Sequence, residues 1–473
     1  MWKKINIVFL LGVSLMGCQE LNKGVNDNPN DITIDAIAGI SFLTGTQLGN
    51  IHVQVGHLQR ISALWTRQLS GFQSSYLSLD QHNITTAESN STWNRAYHSV
   101  LSQLRTIQEK STDHPQLVGI TYVMEAHTIG TMASIFGDVP YAEAATEGSP
   151  TPVFDPQVQV FEALLSRLDE AIGLFDGVEN ELVIPQDIYY QGSLSAWRAA
   201  AYTLKARFYL QLRKYPEALE AAENGIQDHA ESMLFHPIDD TNTDNKNLFW
   251  QLAAGSRAGD IGNLKDGNMS YLLRMLSDTA TISRSHAKTD ERARFLFYIL
   301  EDSDANANQG VGAATQPMPL LTFAENQLIL AEAVTRTQGF LSGLDALNVY
   351  RAWLDSGDAF RQLDPAIAPK YGALDEDDFE EFGLENPDEL APETALLREI
   401  IEERYVSGFG TWMPYNDARR LREREPEIAV AFPVNPNGGS CLPQRFLYAA
   451  NELDANPNAP ADPGLCAKTP VNQ

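Results

Sequence analysis

Basic residues are the first thing this chain has little of. Lysine and arginine total 34 against 62 aspartates and glutamates in 473 residues, a formal charge of −28. So acidic a surface repels phosphate backbones and anionic lipid, which argues against a nucleic-acid partner. Long apolar runs are missing as well. Past the N-terminus nothing approaches 18 consecutive apolar residues, so the mature chain is expected to be anchored to a membrane rather than to span one. Cysteines number three, and no histidine follows His286, which argues against a metal centre around Cys441 and Cys466. Catalytic signatures are absent: there is no HExxH, no G-x-S-x-G and no phosphate loop. With so many acids, the adjacent Glu402 and Glu403 carry no weight for glycoside hydrolysis. Two runs begin like calcium loops and then fail. Asp302-x-Asp304-x-Asn306 has Ala307 and Ala313 where glycine and glutamate are required, and Asp240-x-Asn242-x-Asp244 has Asn245 and Gln251. No metal and no cofactor is expected.

What is present is helical pairing. In Trp197–Ile226 the residues Trp197, Ala201, Leu204, Phe208 and Leu212 recur at helical spacing. Lys214-Tyr215-Pro216 breaks the pattern, and proline suits the first turn of a second helix bearing Ala218, Leu219, Ala222 and Ile226. Two helices, a tight turn and small alanines at the crossing describe an antiparallel hairpin resembling the tetratricopeptide repeat. The same reading pairs Val118–Phe136 with Phe154–Phe175 and Leu320–Thr337 with Leu341–Leu354. Such units bury their faces only by stacking, so the predicted fold is all-α, with repeat-like hairpins over about 118–226 and 320–354. Helices are also expected at His57–Leu69, Trp93–Ile107 and Leu396–Val406. The stretch 230–316 is irregular, and long irregular inserts on a scaffold tend to carry function. Ser70–Asn90 reads as a loop, and the acidic run Asp375–Glu393 as a solvated one.

The ends of the chain address its location. Lys3 and Lys4 precede the apolar run Ile5–Leu11 and then Leu15–Cys18, LMGC. A basic start, a short apolar core and small residues before a cut site describe a signal peptide over 1–17, and the leucine before Gly17-Cys18 resembles a bacterial lipobox. Cys18 would then carry the lipid, followed by a polar tether over 18–33 and a single helical body over 34–473. In an exported protein the leftover pair Cys441 and Cys466 favours a disulfide, two free thiols being the alternative.

Several motifs together resemble the SusD/RagB family of outer-membrane nutrient-binding lipoproteins. They are the lipobox cysteine followed by NDNPND, FGDVPYAEA at Phe136–Ala144, and SAWRAAAYTLKARFYL with Trp197, Leu204 and Arg207. Further on come EIIEERYVSGFG and YNDARRL within Glu399–Leu421, and PQRFLYAANELDANPN. Ala449 stands where the family usually has proline, and Tyr415 where many members have tryptophan. The resemblance implies a non-catalytic binder, anchored in the outer membrane and facing the cell exterior. It would capture glycans or other nutrient oligomers and pass them to a SusC-like TonB-dependent transporter, with the repeats facing that partner and the ligand surface built from irregular loops.

Sugar faces stack on aromatic rings while their hydroxyls need amide, guanidinium or carboxylate partners. The insert offers that mixture in Trp250, Arg257, Asn263, Asn268 and Tyr271, and Trp65 and Tyr76 flank the early loop. Trp65, Tyr76, Trp250, Arg257, Asn268 and Tyr271 are therefore the candidate ligand residues. Trp93, Trp197 and Trp353 lie on periodic apolar faces and are expected in the core. Two other readings stay open: a periplasm-facing helical scaffold without small ligand, and a glycoside hydrolase.

Overall fold

The computed structural model describes residues 38–146, 148–177, 183–238, 246–253, 255, 257–301 and 309–473. The leader, the tether with Cys18, and the runs Asp240–Asp244 and Asp302–Asn306 lie outside the described residues. What is described is mainly helix, joined by four short two-stranded antiparallel ribbons.

Three helical hairpins form the frame. Pro115–Phe136 packs on Gln157–Phe175, Leu194–Gln211 on Tyr215–Glu223, and Phe323–Gln338 on Phe340–Ser356. They also stack on one another, Gln157–Phe175 against Leu194–Gln211 and Tyr215–Glu223 against Phe323–Gln338. Small residues set the crossings. Ala200, Ala201, Ala206, Ala218, Ala221 and Ala222 are all buried, and a Cβ on Gly130 would collide with the Phe208 ring. Helix ends are closed by side chains. Thr322 accepts a hydrogen bond from the Glu325 N–H at 3.1 Å. Asn326 donates to the carbonyls of Ala222 and Ile226, so one hairpin caps the end of its neighbour.

The FGDVPYAEA motif is the joint of the first hairpin. Gly137, at φ 86°, ends the long helix, and Asp138 accepts from the Gln157 N–H at 2.8 Å to start the next. Asp155 accepts from the N–H groups of Tyr141 and Ala142, fixing the turn between. The C-terminal tail returns to this joint. The Phe446 N–H donates to Ile135 O, the Tyr448 hydroxyl donates to Asp138 O, and Arg419 donates to Ser134 O at 2.7 Å. Cys441 and Cys466 are disulfide-bonded within this tail, their Cα atoms 5.9 Å apart.

Two segments are more ordered than their sequences suggest. Within Ser70–Asn90 lie a strand at Ser70–Gly71, a helix at Ser74–Asp80 and a 3-10 turn at Thr86–Ser89. A seven-residue helix is too short to show a period, which is why it reads as loop. The acidic run from Asp375 is pinned at Glu376–Asp378. There Asp375 and Asp378 form a capping box, and both accept from the Lys288 ammonium. Asp378 is buried rather than solvated. The helix expected at Trp93–Ile107 runs from Asn90 to Lys110 and widens to π geometry over Arg95–Leu101.

Candidate functional site

The irregular insert meets the N-terminal region through the ribbon of Ser70–Gly71 with Ile261–Gly262, and this junction carries the candidate site. Asn247 builds its first part. Its buried side chain accepts from the N–H groups of Phe249 and Trp250 at 2.7 and 3.2 Å and donates to Gln316 O, which starts the helix Leu248–Ala253. That helix presents Trp250 half-buried, with the Lys246 ammonium 4.1 Å from its ring centre.

Arg257 stands at the centre of the second part. Its Nε donates to Asp260 at 2.6 Å, its Nη2 to the Ser75 hydroxyl at 3.2 Å, and its guanidinium lies 5.3 Å from the Tyr76 ring centre. Burial raises the Asp260 carboxyl, but the hydrogen bonds from Arg257 and Ser74 together outweigh it and hold the group below its usual range. Beside it the Lys265 ammonium sits 5.0 Å from the Phe72 ring centre. The hairpin of Leu264–Lys265 with Asn268–Met269 turns through Asp266 and Gly267, both at positive φ, as an Asp-Gly type I′ turn demands. It leaves Asn268 exposed.

The structure therefore separates the sequence-predicted residues. Trp250, Arg257 and Asn268 are presented on the insert. Tyr76 touches Arg257 but is only 4 % exposed, its hydroxyl accepting from Arg60 Nε at 3.2 Å. It backs the arginine rather than offering a free face. Trp65 is 1 % exposed: its Nε1 donates to Leu79 O and its ring stacks on Phe446 at 4.5 Å. The apolar face it shares with Leu58, Ile61 and Leu64 is the core face of its helix, so it is withdrawn as a ligand residue. Tyr271 is half-buried, edge-on to Tyr405 and Phe432, and burial followed by the Glu402 charge pushes its hydroxyl up to about 12. Asn263 is fully buried and bridges Tyr298 O and the Leu300 N–H, a purely structural task.

Sequence reasoning missed Lys246, Phe72 and Lys265. The two lysines left a signal in charge placement, since the stretch 246–274 carries Lys246, Arg257, Lys265 and Arg274 against Asp260 and Asp266, a basic excess in a chain of −28, whereas Phe72 left none. Trp353, expected in the core, packs against it half-buried and lines a cleft that none of the predicted ligand residues lines. Among the described residues no group of side chains is arranged to hold a metal, and no helix is long and apolar enough to cross a membrane.

Comparisons with known proteins bear on this fold directly. A SusD-like family model, described as starch-binding and associating with the outer membrane, matches residues 29–270, half of the chain. No curated protein matches the sequence. Among solved structures, a SusD/RagB family protein from Bacteroides thetaiotaomicron is 20 % identical with a TM-score of 0.66, covering 89 % of this chain and 95 % of its own. A SusD homologue from Bacteroides uniformis is 15 % identical, with TM-score 0.65 over 94 % of this chain and 100 % of its own. A chitin-binding SusD homologue from Flavobacterium johnsoniae is 16 % identical, with TM-score 0.63 over 92 % and 99 %. At such identities the neighbours establish the helical architecture, and the family model establishes kinship: the chain belongs to the SusD-like family.

Proposed function

We propose that this protein is a cell-surface carbohydrate-binding lipoprotein that captures glycan and hands it to a SusC-like TonB-dependent transporter, without chemistry of its own. The family match over 29–270 is the observation that carries this reading. The insert supports it, since Trp250, Arg257 and Asn268 each present to its surface one of the groups that sugar rings and hydroxyls need, a ring, a guanidinium and an amide. Cys18 would supply the anchor and leave the folded body outside the outer membrane. A neighbour whose name says chitin-binding shares the fold, which is consistent with an oligosaccharide ligand here.

The Lys246–Trp250 pair gives the test. Trp250 is half-buried on a six-residue helix capped by Asn247, so truncating it should cost the fold little. Trp250→Ala is expected to weaken glycan retention about tenfold, the order of one lost ring contact with its buried area. The thermal midpoint should stay nearly unchanged. Unaltered retention, or a midpoint lowered by many degrees, would return Trp250 to a structural role.

A further inference from the structure

A cavity of about 290 Å³ lies between the helices Phe340–Ser356 and Arg292–Tyr298 and the ribbon of Met233–Phe235 with Met318–Leu321. None of the residues predicted from sequence to bind ligand lines it. Its walls are aromatic. Trp353 sits edge-on to Phe323 at 5.1 Å, with Tyr350 at 5.5 Å and the exposed His229 ring at 6.0 Å. A second group pairs Phe297 with Phe360 at 5.7 Å and Tyr298 with Phe409 at 5.3 Å.

Polar atoms converge among these rings. Arg294, 1 % exposed, donates through Nη2 to Glu403 and Ser407, and the Tyr350 hydroxyl is 2.6 Å from the Ser407 hydroxyl. The rest of that guanidinium is less well served. Its Nη1 lies 3.7 Å from Glu291, the guanidinium also acts on the Tyr298 hydroxyl through charge and hydrogen bonding, and Nε meets no acceptor among the described residues. The Trp353 Nε1 is likewise buried without an acceptor. Burying a donor without a partner is unfavourable, so two beside one cavity call for an occupant that brings acceptors. At the mouth Asp358 and Arg361 are exposed, one an acceptor and the other a donor.

We infer that this cleft is a saccharide subsite that takes a single pyranose ring. The inference rests on the carbohydrate reading above and names a further place where that ligand class is held. A pyranose has an apolar C–H face for the rings of Trp353 and Phe360, and hydroxyls that both accept and donate. The cleft asks for both, acceptors at Trp353 Nε1 and Arg294, donors at Asp358. Its volume, at the lower end for ligand pockets, suits one ring.

Saturation-transfer NMR with a panel of methyl glycopyranosides (gluco, galacto, manno and N-acetylglucosaminide) on the full mature protein tests this, with polysaccharide retention measured on the same sample. At least one glycoside is expected to bind saturably, with Kd of order millimolar. Trp353→Phe keeps a ring and removes Nε1, and should weaken that binding about three- to tenfold. Asp358→Ala and Arg361→Ala, both at the exposed mouth and neutral to folding, should weaken it as well. Retention of polysaccharide with no glycoside bound would overturn the subsite and leave the proposed function standing. Loss of both would overturn both. Glycoside binding indifferent to all three substitutions would place the sugar elsewhere and overturn the subsite too.

Discussion

Replacing Glu332 with glutamine is expected to cost about 3–5 kcal/mol at neutral pH, the cost of removing one partner from a buried ion cluster. Glu332 is fully buried in the helix Phe323–Gln338. One oxygen accepts from Arg336 at 2.9 Å and Arg420 at 2.7 Å, the other from Arg420 at 2.8 Å and from Arg404. Asp417 shares Arg404 and Arg420, so the cluster ties three helices together: Phe323–Gln338, Pro392–Ser407 and Met413–Leu421. Glutamine has the shape but neither the charge nor a second acceptor, and leaves three buried or half-buried guanidiniums short of an anion. The effect has a pH signature. Burial alone would raise the Glu332 pKa, but Arg420, Arg404 and Arg336 outweigh it and hold the carboxyl well below its ordinary 4.5. A lowered folded pKa gives stability that is complete above 4.5 and fades as pH falls toward the folded value. The difference in denaturant midpoint between wild type and Glu332→Gln should therefore narrow on acidification below about 4.5. A difference that is small at pH 7, or constant with pH, would contradict the cluster.

Asp187→Asn should be nearly as damaging, at about 3 kcal/mol. The buried Asp187 carboxylate accepts five hydrogen bonds. Gln47 at 2.6 Å and the N–H groups of Tyr189 and Tyr190 reach one oxygen, and the Gly192 N–H and Trp197 Nε1 reach the other at 2.9 and 2.7 Å. An amide can offer a single oxygen. Either orientation sets an NH₂ against at least two buried donors, each costing about 1–3 kcal/mol once unpaired. Gln47 belongs to the helix Leu43–Val55, so this loop clamps the N-terminal region onto the repeat helix Leu194–Gln211. Chemical denaturation of the isosteric variant measures it, and a change under about 1 kcal/mol would show that the donors find other partners.

These clusters mark the limit of what the sequence discloses. The hairpins were legible because a 3.6-residue period with alanines is a local property: Trp197, Ala201 and Leu204 announce their buried face within a few turns. The role of Arg-Arg at Arg419–Arg420 was visible only as a motif. Its physical content is long-range, Arg419 reaching Ser134 O and Arg420 reaching Glu332. Asp187 gave no signal, since a hub for five donors depends on a loop without period. Trp65 and Trp353 show the same limit from two sides. Both lie on apolar helical faces, yet Phe446 covers the first while the second borders a cleft, because periodicity says which face is apolar and not where its neighbour stops. Trp250 was found from composition alone, and Lys246, which stacks on it, was overlooked because a lone lysine reads as solvated surface.

Affinity electrophoresis of the mature wild-type protein through gels carrying individual polysaccharides, with product analysis of the same mixtures, bears most directly on the central claim. The account predicts retardation by at least one glycan and no fragments released from it. Free migration through every glycan, or cleavage of the one that retards it, would contradict a surface protein that holds carbohydrate and leaves it intact for transport.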